Sequence, residues 1–174
     1  MSERRRRIDI VLEPEYLEGL ESADLSELQE RRDTATDLEA QISYYRRLLH
    51  ARMDLLAFEL KRRRGEESRT LMEALPEILS TGLVLGDAPN LKYLDVMPPL
   101  PSSTGRRLID KIMEDGILAQ LPDLSDEEVQ EALDRLNEVE STLSAQRRQL
   151  HNVIDTIQAE IVARYRSQQG AAGA

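Results

Sequence analysis

One five-residue polar pattern occurs twice in this chain, as Glu39, Ser43, Arg46, His50 and Asp54 and again, 101 residues later, as Glu140, Ser144, Arg147, His151 and Asp155. On a helix, the steps of 4, 3, 4 and 4 residues gather the five side chains into a stripe roughly 80° wide and about 22 Å long. With roughly one chance in twenty per position, five matches in a given register are expected on the order of once in a million trials. The match continues at the same offset. Ile42 meets Leu143, Arg47 meets Arg148, Leu49 meets Leu150 and Met53 meets Ile154; further on, Leu56, Leu60, Glu59 and Arg63 meet Ile157, Ile161, Glu160 and Arg164. The pattern predicts two structurally equivalent helices, each presenting the same polar face.

Composition agrees with helices and limits what else can form. The 174 residues are room for one domain, but aromatic content is 3%, there is no Trp, and Phe58 is the single Phe. Little is left with which to build a thick globular core. Leu, Ala, Glu and Arg dominate, which favours long amphipathic or coiled helices over sheet. The absence of Cys excludes disulfides, thiolate metal sites and cysteine nucleophiles, and fits a cytosolic protein. No segment approaches 18 apolar residues and the basic start is not followed by an apolar run, so neither a membrane span nor a secretion signal is expected. The expected location is therefore cytoplasmic. A net charge of −10 argues against direct DNA binding and suits a basic protein as partner.

Along the chain, residues 1–24 read as an N-terminal segment, partly disordered, with the first eight a disordered basic start. Residues 25–64 read as a first coiled-coil helix, opened by Ser26 with Gln29 as a capping box and closed at Gly65. Residues 65–123 form a connector. Residues 124–166 read as a second coiled-coil helix, opened by Ser125 with Glu128, and residues 167–174 as a disordered tail. Each long helix would span roughly 60 Å and needs a partner helix. An apolar seam supplies it: Leu38, Ile42, Tyr45, Leu49, Met53, Leu56 and Leu60 on the first, and Leu136, Val139, Leu143, Leu150, Ile154, Ile157 and Ile161 on the second. Tyr45 and Gln146 interrupt the heptads. The expected fold is all-α, a long antiparallel two-helix coiled-coil hairpin with short helices in the connecting segment; a parallel dimer or a bundle with other chains is the alternative. In the connector, "SRTLMEALPEIL" and "SSTGRRLIDKIMEDGIL" each carry an apolar helical face, which either packs back on the hairpin or clasps a partner protein.

Antiparallel pairing of two equivalent helices carries both polar stripes to one face and builds a composite surface of ten side chains with pseudo-two-fold symmetry. Arg binds phosphate, or the O6/N7 edge of guanine, through paired hydrogen bonds, and a carboxylate accepts from guanine's N1–H and amine. Ser adds a hydroxyl contact, and His donates to phosphate or stacks on a base. A strip this rich in acids repels naked phosphate and is better suited to a guanine nucleotide.

The repeated E-x3-S-x2-R-x3-H-x3-D pattern on two helices resembles the RsiG family of actinobacterial anti-sigma factors, which bind cyclic di-GMP and hold a sporulation sigma factor. The resemblance covers roughly residues 25–64 and 124–166. It implies an antiparallel coiled coil that binds cyclic di-GMP, as a dimer of the nucleotide, at the interface with the sigma factor. It also implies nucleotide contacts from Glu39, Ser43, Arg46 and Asp54 and from Glu140, Ser144, Arg147 and Asp155. At the fourth position the family pattern has Gln, where this chain has His50 and His151; an imidazole still supplies one donor.

Other readings of the stripes compete with this one. Either could be a solvated face of ordinary i,i+4 neighbours, although the doubling speaks against it. A di-metal bundle could use Glu39, His50, Asp54 and their counterparts, but Arg46 and Arg147 sit mid-stripe and would repel a cation. A coiled-coil adaptor or scaffold without nucleotide binding shares the same fold. Catalysis has no support: Ser43, His50 and Asp54 lie at i, i+7 and i+11 on one helix and cannot form a relay, and no Gly-rich phosphate loop occurs. The sequence thus points to a non-enzymatic, cyclic di-GMP-dependent anti-sigma factor.

Overall fold

Asp24, rather than Ser26, starts the first long helix. Its Oδ1 accepts the Glu27 N–H at 2.8 Å and its carbonyl accepts the Leu28 N–H at 3.0 Å, so the helix runs Leu25–Arg63. Asp24 and Ser26 are both good cap residues, and Asp24 takes the role; the Glu27 side chain turns to Arg31 and closes no reciprocal box. The structure is a computed structural model and describes residues 6–84 and 116–172. Among them the elements are α1 (Arg7–Leu12), a 3-10 turn (Pro14–Leu17), α2 (Leu25–Arg63), α3 (Leu71–Val84), α4 (Ile117–Gln120), a second 3-10 turn (Leu121–Asp123) and α5 (Asp126–Ala172). The described residues contain no strand, and the protein is an all-α antiparallel hairpin.

Local chemistry sets the other helix ends. Gly65, at φ +75°, closes α2: its N–H bonds to the Arg62 carbonyl at 3.1 Å while the Glu66 N–H bonds to Lys61 at 2.9 Å. This paired return needs a left-handed residue, which Gly adopts without strain. α5 opens on the expected box, with Ser125 N–H donating to Glu128 Oε2 at 2.7 Å and Glu128 N–H donating to Ser125 Oγ at 3.2 Å. It continues to Ala172, past Arg166, because Gln and Ala sustain a helix and no Pro intervenes before the end. At the other terminus α1 begins at Arg7, within the stretch read as disordered; Arg6 forks onto both Asp9 carboxylate oxygens at 2.9 Å and ties down the first turn. The first connector helix is α3, boxed by Thr70 and Glu73. The second, expected in residues 102–118, falls largely outside the described residues.

The chain divides into two compact units, residues 1–43 with 144–174, and residues 44–143. In the first, the N-terminal half of α2 pairs with the C-terminal half of α5. Gln29 meets Tyr165, Arg32 meets Gln158 and Glu39 meets His151, so position falls along α5 as it rises along α2. Leu28, Ala35, Leu38 and Ile42 are buried in this unit with Leu150, Val153, Ile157 and Ile161, each large side chain contributing about 1.5–3 kcal/mol. The N-terminal segment adds Val11, Leu20 and Ala23 to that core. It is anchored by a reciprocal contact: Tyr16 Oη donates to the Arg31 carbonyl at 2.8 Å, and Arg31 Nη1 donates to the carbonyls of Tyr16 and Glu18 at 3.0 Å.

In the second unit the C-terminal half of α2 meets the start of α5. Leu49, Leu56, Phe58 and Leu60 are buried with Leu121, Val129, Ala132, Leu136 and Leu143, and Ala74 of α3 joins them. Four residues assigned to the seam, Tyr45, Met53, Val139 and Ile154, are only half-buried, because a pair of helices covers less of each flank than a bundle would.

The duplication extends beyond the motif into the way each unit is closed. In one unit Arg63 donates to the Leu121 and Leu124 carbonyls at 2.7 and 2.6 Å, just before α5. In the other Arg164 donates to Leu20 at 3.0 Å and to Ala23, just before α2. The arginines are 101 residues apart, and so are their acceptors. Glu59 and Glu160, one turn earlier, hold the two guanidinium groups at 2.7 and 3.0 Å.

Candidate nucleotide-binding clusters on the paired helices

The motif residues do not act as two separate stripes. Each glutamate reaches across the helix pair to the arginine and histidine of the other copy. In the first unit, Glu39 Oε1 on α2 accepts from Arg147 Nε at 2.8 Å and lies 3.0 Å from His151 Nε2, both on α5. Ser43, one turn along from Glu39, donates to the same oxygen at 2.7 Å and accepts from Arg147 Nε at 2.9 Å. In the second unit the roles of the helices are exchanged: Glu140 Oε1 on α5 accepts from Arg46 Nε at 3.1 Å and Nη2 at 2.8 Å, and lies 3.1 Å from His50 Nε2, on α2.

The clusters sit at the margin of the helix interface rather than on an open face. The Glu39 and Glu140 side chains are only 19% and 17% exposed, low enough to require the partners they have. Burial pushes the Glu39 carboxyl up, but the hydrogen bonds from Ser43, Arg147 and His151 together outweigh it and hold the group below its ordinary value. An ionised Glu39 is thus built into the free protein.

Asp54 and Asp155 stand apart. Each lies one turn beyond its histidine, Asp54 half-buried and Asp155 exposed, and neither has a hydrogen bond or ion pair among the described residues. Ser144 is half-buried one turn after Glu140. Arg147 engages its carboxylate through Nε alone, so its terminal nitrogens carry donors that no described residue takes up; Arg46 likewise retains Nη1. Each cluster therefore combines an anchored arginine with spare donors, a histidine and an open carboxylate one turn on. That set can serve both edges of a guanine base or a base and its phosphate. Among the described residues there is no group of three or more His, Asp or Glu able to hold a metal ion.

The sequence profile of the RsiG-like family matches residues 14–79 and 115–173, most of the chain and both halves of the repeat. The chain belongs to the RsiG-like family. Membership suggests an anti-sigma factor role, with a sigma factor as partner, and the RsiG-like family is not a known enzyme family. A search of curated proteins finds no match. No described helix of this RsiG-like chain is long and apolar enough to cross a membrane.

Sequence reasoning singled out all ten motif residues but not the exchange of partners between copies. It also noted the pairs Glu59 and Glu160, and Arg63 and Arg164, without giving them a role; their shared offset of 101 was the available signal.

Proposed function

We propose that this RsiG-like protein is an anti-sigma factor whose two clusters bind cyclic di-GMP, taken up as a dimer, and that the nucleotide strengthens its hold on a sporulation-type sigma factor. The observation that carries the proposal is the doubled cross-copy cluster: two chemically equivalent sites suit a ligand that is itself two-fold symmetric. In this reading the spare arginine donors take phosphate oxygens or the guanine O6/N7 edge. Asp54 and Asp155, which have no hydrogen bond or ion pair among the described residues, accept from the guanine N1–H and amine. Glu39 and Glu140 hold the arginines in place, and Ser43, Ser144, His50 and His151 complete the polar lining. A nucleotide on a helical surface keeps one side wet unless a second protein covers it. If the sigma factor supplies that cover, nucleotide and sigma factor raise each other's affinity by the same factor.

Calorimetric titration with cyclic di-GMP, with GTP and cyclic di-AMP as controls, tests the ligand. Selective binding of cyclic di-GMP with two nucleotides per chain is the expected result. Recovery of the sigma factor on the immobilised protein with and without cyclic di-GMP tests the switch; equal recovery would remove it. One observation favours a second reading, a coiled-coil adaptor without nucleotide: both arginines are already held by glutamates across the helix pair, as a purely structural role requires. Absence of cyclic di-GMP binding with sigma-factor binding retained would establish that reading instead.

A further inference from the structure

We propose that His50 and His151 couple nucleotide binding to proton uptake: each ring is anchored through Nε2 on the glutamate across the helix pair and, once protonated, donates from Nδ1 to a phosphate oxygen of the ligand. This regulation acts on the cyclic di-GMP sites proposed above and rests on that reading. In the first unit His151 Nε2 lies 3.0 Å from Glu39 Oε1, and in the second His50 Nε2 lies 3.1 Å from Glu140 Oε1. The contact fixes the tautomer. An ionised carboxylate only accepts, so the hydrogen on Nε2 points at it, and a neutral ring then carries a bare lone pair on Nδ1. Ionisation is built in at Glu39, where burial pushes the carboxyl up and the hydrogen bonds from Ser43, Arg147 and His151 outweigh it. No described residue hydrogen-bonds Nδ1 of either ring, and the His151 and His50 side chains are 45% and 36% exposed. A glutamine at either position would offer a ligand both a donor and an acceptor at every pH. A histidine held in this way offers one or the other, and the proton decides which.

The charges around the rings set the sign of the effect. Against His151 stand Glu39 from α2 and, on its own helix, Arg147 on the same carboxylate oxygen, with Arg148 and Asp155 one turn to either side. Against His50 stand Glu140 from α5 and, on α2, Arg46 on the same oxygen, with Arg47 and Asp54 in the corresponding places. Each ring therefore has as many positive neighbours as negative ones, and an arriving phosphodiester adds the charge that favours the imidazolium. The ring then holds its proton more tightly in the complex than in the free chain, and by linkage the proton strengthens nucleotide binding by the same factor. Affinity is greatest at low pH and falls as the pH rises through the histidine range, by at most about tenfold per unit for each ring. The phosphodiesters of a cyclic dinucleotide stay ionised across that range, and Glu39, held below 4.5, keeps its charge, so neither imitates the effect.

The test is calorimetric titration of the full chain with cyclic di-GMP between about pH 8 and 5.5, with proton uptake read near pH 7 from the difference in enthalpy between phosphate and Tris buffers. Affinity should rise by about tenfold or more as the pH falls across that range, with protons taken up from the buffer. His50→Gln/His151→Gln keeps a donor for each glutamate but has nothing to titrate. Its affinity should change by less than about twofold over the same range, with no uptake and with the helicity of the parent. The single variants His50→Gln and His151→Gln should each lose part of the uptake, a result that holds even if the double variant fails to fold. A parent affinity that is flat with pH, or a pH dependence that persists unchanged in the variants, would overturn the proposal while leaving cyclic di-GMP as the ligand. So would affinity that falls toward low pH, the sign of a neutral Nδ1 accepting from guanine. No binding at any pH would overturn the nucleotide reading, and this one with it.

Discussion

Removing the Arg63 guanidinium should destabilise the protein far more than removing its neighbour. Arg63 is 17% exposed and donates to four acceptors: the Glu59 and Asp126 carboxylates and the carbonyls of Leu121 and Leu124. In Arg63→Ala, Glu59 keeps Arg62 at 2.8 Å and Asp126 is open to water, so the loss concentrates on the two carbonyls that fix the turn before α5. A hydrogen bond to a charged donor contributes about 1.5–3 kcal/mol, and two that share one guanidinium do not add fully. Water entering the vacated space recovers part of the loss. The net expectation is about 2–4 kcal/mol, read as a shift in the urea midpoint at constant slope. Arg63→Lys should recover only part of it, because a single ammonium lacks the planar fork that reaches both carbonyls. Arg62→Ala, at a side chain 45% exposed and bonded to Glu59 alone, should shift the midpoint less, because Glu59 keeps Arg63 and no backbone carbonyl loses its donor. Arg164→Ala should match Arg63→Ala, since it holds the equivalent carbonyls of the other unit. Equal midpoints for Arg63→Ala and Arg62→Ala would refute the view that these clamps close the two units.

Further expectations concern the clusters and pH. Arg46→Ala and Arg147→Ala should each weaken cyclic di-GMP binding by roughly ten- to a hundred-fold, through loss of about 1.5–3 kcal/mol, measured by calorimetry; unchanged affinity in both would remove the assignment. Asp54→Ala and Asp155→Ala should weaken binding as well if they accept from guanine, whereas recognition of phosphate alone predicts tighter binding, so the sign decides between the two. The paired guanidinium of Arg62, helped by that of Arg63 against the opposing effect of burial, holds Glu59 at about 2 against an ordinary 4.5. A carboxyl depressed in this way stabilises the fold above its unfolded pKa and loses that contribution as pH falls toward its folded one. Thermal midpoints should therefore drop between about pH 4.5 and 2, and the drop should be smaller in Glu59→Gln; parallel curves for the two proteins would contradict it.

Most of the architecture is legible in the sequence, for a physical reason. Helix periodicity, the box at Ser125 and the return at Gly65 are local, set by residues three to five apart, and the doubled motif states outright that the two long helices are equivalent. Where local rules tie, the sequence is silent: Asp24 and Ser26 both qualify as caps, and only the structure shows Asp24 accepting the Glu27 N–H. Which partner each charged side chain takes is not local at all. Within its own helix Glu39 sees Ser43 one turn away, and the sequence offers that contact; its charged partner, Arg147, lies 108 residues along the chain and is brought within 2.8 Å only by the antiparallel register of the pair. The same register turns Arg63 and Arg164 from two surface charges into clamps on backbone carbonyls, since a carbonyl exposed by a turn has no sequence signature of its own. The sequence by itself determined two equivalent amphipathic helices bearing one polar motif each. The tertiary structure alone decided that the motifs exchange partners, because side-chain pairing across helices depends on axial offset, and a fraction of a turn separates one set of neighbours from another.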